Sequence, residues 1–200
     1  ISGYAEIMKS GMVNHEDMIA FSERIYNEAS RMIALIDDII KLSKLDEESM
    51  EVEWEDVDLY ELSGEIIDRL AMSARKRCVQ VELKGESVVF HGVKQMLDEM
   101  IFNLCENAIK YNVADGKVTL YVGRTSEGIK VIVEDTGIGI PKDQQERVFE
   151  RFYRVDKSHS KKTGGTGLGL SIVKHAAIYH HAQIRVESEV GKGTKMEVVF

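Results

Sequence analysis

The sequence of 200 residues holds one proline, Pro141, two cysteines, one tryptophan and no long apolar run. Each scarcity excludes something. Two cysteines, Cys78 and Cys105, cannot staple a disulfide scaffold; both lie among apolar neighbours, so buried thiols are expected and a metal site is not. No apolar stretch approaches the roughly 18 residues that cross a bilayer, and the first residues lack the basic-then-apolar pattern of a signal peptide. A water-soluble polypeptide is the expectation. Basic residues are in deficit as well, 26 against 34 acidic for a net charge of -8, which argues against a general nucleic-acid binder. What is present is ordinary globular material, 44% hydrophobic and 30% charged, enough to bury a core and too apolar for disorder. The chain opens on Ile1 rather than methionine, already in a helical pattern, and further residues are expected upstream.

Without proline in its first 48 residues, the N-terminal segment is free to form long helices. It reads as a helical hairpin: a short helix over Ile1 to Met8, a turn at Gly11-Met12-Val13-Asn14, and a second helix from about Glu16 to Leu45. Along the second helix Met18, Ile25, Ala29, Met32, Ile36 and Ile39 recur at three- and four-residue steps, with Ile33 and Ile40 widening the stripe. Such a face asks for cover. The short first helix is too small to give it, so a bundle with a second copy of the chain is expected, against the alternative of packing on the rest of the same chain.

An acidic stretch, Asp46-Glu47-Glu48-Ser49, marks a hinge. The expected division is 1–48 for the hairpin and 49–200 for a second domain in which strands and helices succeed one another. Val52 and Trp54 alternate with charges as a strand does, and Asp58 is placed to cap a helix running to about Arg77. Strands are predicted at Val79 to Leu83, Ser87 to Phe90, Lys117 to Val122 and Ile129 to Glu134, and at the end over Gln183 to Glu187 and Thr194 to Phe200. Helices are predicted over Val93 to Tyr111, near Gln144 to Phe149 and from about Gly167 to His180. The pattern is that of an α+β sandwich, a mixed sheet covered by helices on one face.

Three glycine clusters stand out: Asp135-Thr136-Gly137-Ile138-Gly139-Ile140, Gly164-Gly165-Thr166-Gly167-Leu168-Gly169-Leu170 and Gly191-Lys192-Gly193. None is a P-loop, since Gly-Lys-Ser/Thr before a helix is missing, and a dinucleotide fingerprint from Gly165 fails at Leu170. Gly165, Gly167 and Gly169 stand at an expected helix start, where unobstructed N–H groups and the helix dipole favour an anion. On the helix over Val93 to Tyr111, Asn103, Asn107 and Lys110 share one face while Ile101, Leu104, Ala108 and Ile109 can point to the core. Two amides and an ammonium in one stripe suit phosphate and a divalent cation, for magnesium takes few protein oxygens beside phosphate oxygens. A solvated helix face is the plainer alternative.

These residues carry a resemblance. Asn103 to Tyr111 is similar to the N box of bacterial sensor histidine kinases, Asp135 to Ile140 to their first glycine box, Phe149 to Arg154 to their F box and Gly164 to Leu170 to their second glycine box. Four motifs in one order are specific, and with the hairpin and the closing Val186 to Thr194 stretch the likeness covers nearly the whole chain. Within the family the sequence looks most like the phosphate-regulon sensors.

The resemblance implies a fold of the histidine kinase, gyrase and chaperone type behind an antiparallel hairpin that pairs into a dimeric four-helix bundle. It implies that Asp135 accepts a hydrogen bond from the adenine amino group, with Gly137, Gly139 and Ile140 along the base. Asn107 would hold Mg2+, Asn103 would lie beside the triphosphate, Lys110 on a phosphate and Tyr111 against the nucleotide. Gly165, Thr166, Gly167, Leu168, Gly169 and Leu170 would form the phosphate-side loop. The stretch from about Val155 to Thr163 resembles the family's ATP lid, and Arg151, Tyr153, Arg154, Lys157, Lys161 and Lys162 are candidates to meet the nucleotide. His91-Gly92 departs from the pattern, standing where many relatives have an acidic residue before the N-box helix, and leaves the capping of that helix open.

The activity implied is that of an ATP-dependent protein-histidine kinase, passing the γ-phosphoryl group of Mg-ATP to a histidine and onward to an aspartate of a response regulator. Ile1 to Glu6 resembles the residues just after the family's H box, so the acceptor histidine is expected before Ile1 and this chain is expected not to phosphorylate itself. His15-Glu16 falls at the turn without the ending of that box; His159, His175 and the pair His180-His181 read as surface or capping groups. The resemblance further implies a homodimer, the cytoplasmic portion of a membrane-anchored sensor, with membrane contact only through upstream segments. The alternatives are a nucleotide-binding regulatory scaffold without kinase activity and a related ATPase.

Overall fold

The computed structural model describes residues 1–11, 13–46, 53–155 and 165–200. Expectations for Met12, for the hinge and domain boundary within 47–52, for the lid residues 156–163 with Lys157, His159, Lys161 and Lys162, and for Gly164 lie outside the described residues.

The hairpin consists of α1 (Ser2–Lys9) and α2 (His15–Asp46). The Asn14 side chain accepts the Asp17 N–H at 2.8 Å, which is how a helix start satisfies one of its orphan donors. His15 is thus the first residue of α2 rather than part of the turn. The two helices meet where the Tyr4 and Phe21 rings lie 5.1 Å apart and Arg24 donates to the Tyr4 hydroxyl at 2.8 Å. The apolar stripe of α2 stays largely open: Met32, Ile33, Ile36, Ile39 and Ile40 are exposed, Ile33 by 61%. Among the described residues α2 packs on the second domain through Leu35, which meets the buried Leu168 and Ile172, and through Asp38, which meets Thr166.

The second domain begins with β1 (Glu55–Asp58) and α3 (Leu59–Lys76), followed by β2 (Gln80–Gly85), β3 (Val89–Gly92), α4 (Lys94–Lys110), β4 (Lys117–Thr125) and β5 (Gly128–Asp135). Two 3-10 turns, Lys142–Gln144 and Arg147–Phe149, lead to α5 (Gly169–Tyr179), β6 (Gln183–Glu189) and β7 (Gly193–Val199). A five-stranded sheet has the order β2-β4-β5-β7-β6, parallel between β2 and β4 and antiparallel elsewhere, and β1 pairs with β3 in a separate antiparallel ribbon.

Period-two alternation places Val118, Leu120, Val122, Val131 and Val133 on the covered face of the sheet. Against it lie helices whose apolar positions recur with the helical period, Leu59, Leu62, Ile66, Leu70 and Ala74 on α3 and Leu97, Ile101, Leu104 and Ala108 on α4. Asp58 caps α3 as expected, accepting the Tyr60 and Glu61 N–H groups at 2.8 and 3.0 Å.

Four local expectations are corrected. Among the described residues the first strand begins at Glu55, past Trp54, where pairing with β3 begins; Val52 lies outside the described residues. The stretch Gln144 to Phe149 is not an α-helix: its bonds, such as Gln144 N–H to Pro141 O and Glu150 N–H to Arg147 O, each at 2.9 Å, span three residues and close two separate turns. The glycine-rich helix starts at Gly169, since Gly167 has φ +78 and cannot continue a right-handed helix. Cys105 is buried, but Cys78 is exposed, sitting at φ 54 in the turn after α3.

Candidate functional site

The motifs converge because two helices and one strand end at the same place. The polar stripe of α4 looks out between the carboxyl end of β5, the F-box turn and the loop before α5, and encloses a cavity of about 730 Å³, within the size range of ligand pockets. Asn103, Asn107, Lys110 and Tyr111 line it from α4 and its end, Asp135, Gly139 and Ile140 from the first glycine cluster. Tyr153 and Arg154 face it from the F-box stretch, and Gly165, Thr166, Gly167, Gly169 and Leu170 from the second glycine cluster.

Three expected residues do not line the cavity. Gly137 lies behind it: a Cβ there would sit 2.4 Å from the Tyr111 carbonyl oxygen, so glycine lets the strand end press against the end of α4. Leu168 is wholly buried with Ile172 and Leu35. Arg151 is exposed in the turn beside it.

Asp135 is the last residue of β5 and is half-buried; burial is the main force on its carboxyl and pushes its pKa up to about 6, against the pull of N–H groups from Gly137 and Thr194. The Gly137 N–H donates at 2.7 Å. Lys110 is held below the usual lysine range, chiefly by burial and secondarily by Arg154 and Arg77, while Glu106 and Asp38 oppose that shift. Its ammonium lies 5.8 Å from the Tyr111 ring centroid. Asn103 is buried and donates through Nδ2 to the Glu99 carbonyl at 2.7 Å. Its Oδ1 lies against α5: a Cβ on Gly169 would be 2.6 Å from it, so glycine there is what allows the two helices to touch. The Arg154 guanidinium donates to the Gly165 carbonyl at 2.6 Å, tying the F-box stretch to the glycine loop. The Tyr153 hydroxyl donates to Gln144 at 3.0 Å.

Sequence reasoning missed the contribution of the hairpin. Ala34, Asp37 and Asp38 of α2 line the same cavity, and Asp38 accepts the Thr166 hydroxyl proton at 2.6 Å. The only trace in the sequence is two carboxylates set inside the apolar stripe of α2. Thr194 and Met196 of β7 and Asn112 beyond α4 were missed as well, being brought in by strand pairing and by the turn after α4.

The set of groups fits a nucleoside triphosphate: an apolar cleft with a recessed carboxylate at one end, and amides, an ammonium and open backbone N–H groups at the other. Among the described residues no group of three or more His, Cys, Asp or Glu side chains could hold a metal ion.

Comparison with known proteins agrees with this arrangement. Residues 92–200 match the family described as histidine kinase-, DNA gyrase B-, and HSP90-like ATPase. The sensor protein kinase WalK of Staphylococcus saprophyticus is 34% identical over 203 residues, covering all of this chain and 33% of that protein. The chain spans about a third to a half of the length of such curated relatives. Among solved structures, histidine kinase ThkA in complex with response regulator protein TrrA superposes with a TM-score of 0.77 at 22% identity, over 98% of this chain and 55% of that one. Full-length ShkA in complex with AMPPNP gives 0.74 at 22% identity, over 93% and 39%. Those two likenesses are of fold, and they extend through the hairpin. The chain therefore belongs to the histidine kinase-, DNA gyrase B- and HSP90-like ATPase family, and the curated relatives it resembles are sensor histidine kinases.

Proposed function

We propose that this chain forms the ATP-binding domain and part of the dimerisation hairpin of a sensor histidine kinase, with the division falling near residue 48. It binds Mg-ATP and directs the γ-phosphoryl group to a histidine imidazole outside the described chain, from which the group passes to an aspartate of a response regulator. The observation that carries the reading is the convergence of Asn103, Asn107, Lys110, Asp135 and the Gly165–Gly169 loop on one cavity that the hairpin helix also lines. In the bound state Asp135 takes the adenine amino group. Lys110 and Arg154 meet phosphate oxygens, and Asn103 fixes the start of α5, whose first N–H groups face the same charge. Magnesium, held by phosphate oxygens and the Asn107 carbonyl, would neutralise charge on the transferred group. The likeness to ThkA bound to TrrA supports the regulator as the next acceptor. The open stripe of α2 supports pairing with a second copy.

The test is transfer in trans. The chain is incubated with magnesium, γ-labelled ATP and a separate four-helix bundle that carries a histidine in its H box. Acid-labile label on the bundle, abolished by Asn107→Ala, is the expected result. No saturable Mg-ATP binding would remove the assignment of the site, and acid-labile label on this chain alone would show that the acceptor histidine lies within it.

A further inference from the structure

The N-box helix α4 begins without a conventional cap. Its N-cap residue is Val93, whose side chain makes no capping bond, and the His91-Gly92 pair before it supplies no carboxylate at the capping position. Yet the Val93 N–H is satisfied: it donates to Nε2 of His180 at 3.0 Å. His180 lies 87 positions along the chain, immediately past the last residue of α5. It is not a surface group, being only 6% exposed.

The chemistry of the ring admits one protonation state here. Nδ1 lies 2.7 Å from the Ala176 carbonyl oxygen, an acceptor only, so Nδ1 carries the proton; Nε2 then has a free lone pair for the Val93 N–H. Both bonds need the neutral Nδ1–H tautomer. The surroundings hold the ring in place: Trp54, Phe90 and Tyr179 ring centroids lie 5.5, 5.8 and 5.5 Å from it, and Phe200 at 6.5 Å. Gly92 makes the space, for a Cβ at that position would be 3.0 Å from both Cδ2 and Nε2 of His180.

The position of this bond matters to the nucleotide site. α4 and α5 run in opposite directions, and two of the polar contacts between them lie far apart along both helices. One is Asn103 against Gly169 in the cavity wall; the other is Val93 with His180. At 1.5 Å per residue the two points are about 15 Å apart on α4 and about 16 Å apart on α5. The matched spans mean that pinning both ends fixes the axial register of the helix that bears Asn103, Asn107 and Lys110 against the helix that starts at the glycine loop.

We propose that His180 is a positioning residue for the nucleotide site, a neutral imidazole that caps the N-box helix across the fold and sets its register on α5, and that acid releases this tie. Protonation would place Nε2–H against the Val93 N–H, donor against donor. The titratable groups around the ring are Tyr179 and His181 on its own side and His91 of β3, which is bonded to Asp56 of β1 at 2.8 Å. Trp54, Phe90 and Phe200 contribute no charge. Burial holds the ring below the usual histidine range and His181 adds to that, against the Ala176 carbonyl, which favours the charged form. With the folded pKa lowered, the contribution to stability is complete above the unfolded value near 6.5 and is lost as pH falls through the window below it.

The inference rests on the proposed nucleotide site, so one readout is chosen that does not depend on nucleotide. Long-range proton–nitrogen NMR of the wild-type chain at pH 7.5 is expected to show His180 as the Nδ1–H tautomer with an accepting Nε2, and slow exchange of the Val93 amide that accelerates as the ring titrates. A charged ring, the other tautomer or an indifferent Val93 amide would overturn the proposal whatever the site binds. For the link to function, calorimetric Mg-ATP binding is compared for wild type, His180→Phe and His180→Gln between pH 5.5 and 8. His180→Phe keeps a ring but removes the acceptor, and should bind about five- to tenfold more weakly at pH 7.5. His180→Gln restores an acceptor, should recover most of that affinity, and should lose the share of the acid response that the ring supplies. Equal affinity in all three with one pH profile would refute the positioning role; Mg-ATP binding by none of them would instead remove the site reading.

Discussion

The clearest quantitative consequence concerns Asp135. Its carboxyl is pushed up to about 6 by burial, and the hydrogen bond from an adenine amino group is stronger to the ionised oxygen than to a neutral carboxyl or amide oxygen. Binding therefore competes with a proton. With a free-site pKa of about 6, roughly nine-tenths of the groups are ionised at pH 7 and roughly one-tenth at pH 5, so most of the affinity that the charge adds is lost over that interval. A hydrogen bond to a charged acceptor contributes about 1.5–3 kcal/mol against about 0.5–1.5 kcal/mol for a neutral one, so Asp135→Asn, which keeps an amide oxygen as acceptor, is expected to bind Mg-ATP about five- to tenfold more weakly at pH 7.5. At pH 5 the two proteins converge, because the wild-type group is then mostly neutral too. Isothermal titration of both proteins with Mg-ATP across pH 5 to 7.5 measures the ratio, in which titration of the ATP phosphates and of other side chains cancels. The sign for folding is opposite. A carboxyl with a raised folded pKa contributes stability below its unfolded value near 4 and loses it as pH rises through 6; after discounting for the group's partial exposure the loss is about 1 kcal/mol. Thermal denaturation of the nucleotide-free chain should show that decline in wild type and not in Asp135→Asn. A binding ratio that stays constant from pH 5 to 7.5 would refute the assignment of Asp135 as the adenine acceptor.

The same geometry sets three further outcomes. Asp38→Asn retains an acceptor for the Thr166 hydroxyl but removes a negative charge that acts on Lys110; Mg-ATP should bind up to about fivefold more tightly by calorimetry, and weaker binding would mean that the contact holds the site open. Iodoacetamide at pH 8 should modify one thiol per folded chain and two after denaturation, since Cys78 is exposed while Cys105 is buried with its thiol pushed up to about 12; mass spectrometry finding Cys105 modified in the folded chain would contradict its packing. Replacing both Ile33 and Ile36 by Asp removes side chains that would each contribute about 1.5–3 kcal/mol if buried, so analytical ultracentrifugation should show a monomer that still binds Mg-ATP, and an undiminished dimer would place the interface elsewhere.

Much of the site was legible because its signals are local. The spacing of Asn103, Asn107 and Lys110 on one helix fixes a shared face through the 3.6-residue period alone, and Asp58 at the start of α3 acts through bonds to residues two and three positions away. The glycine clusters likewise announce close backbone approaches before any partner is known. Helix ends were less legible: the start of α5 shifts to Gly169 through the left-handed turn at Gly167, and Gln144 to Phe149 divides into two turns.

By itself, then, the sequence determines the periodic elements, the polar stripe of α4 and the order of the motifs, since each depends on residues a few positions apart. Only the tertiary structure decides that Asp38 meets Thr166 across 128 positions and that His180 caps α4 across 87. Those contacts have no periodicity to betray them. They exist because α2 docks through Leu35 on Leu168 and Ile172 and because α4 and α5 pack together over the sheet, bringing together groups whose separation along the chain carries no trace of their separation in space.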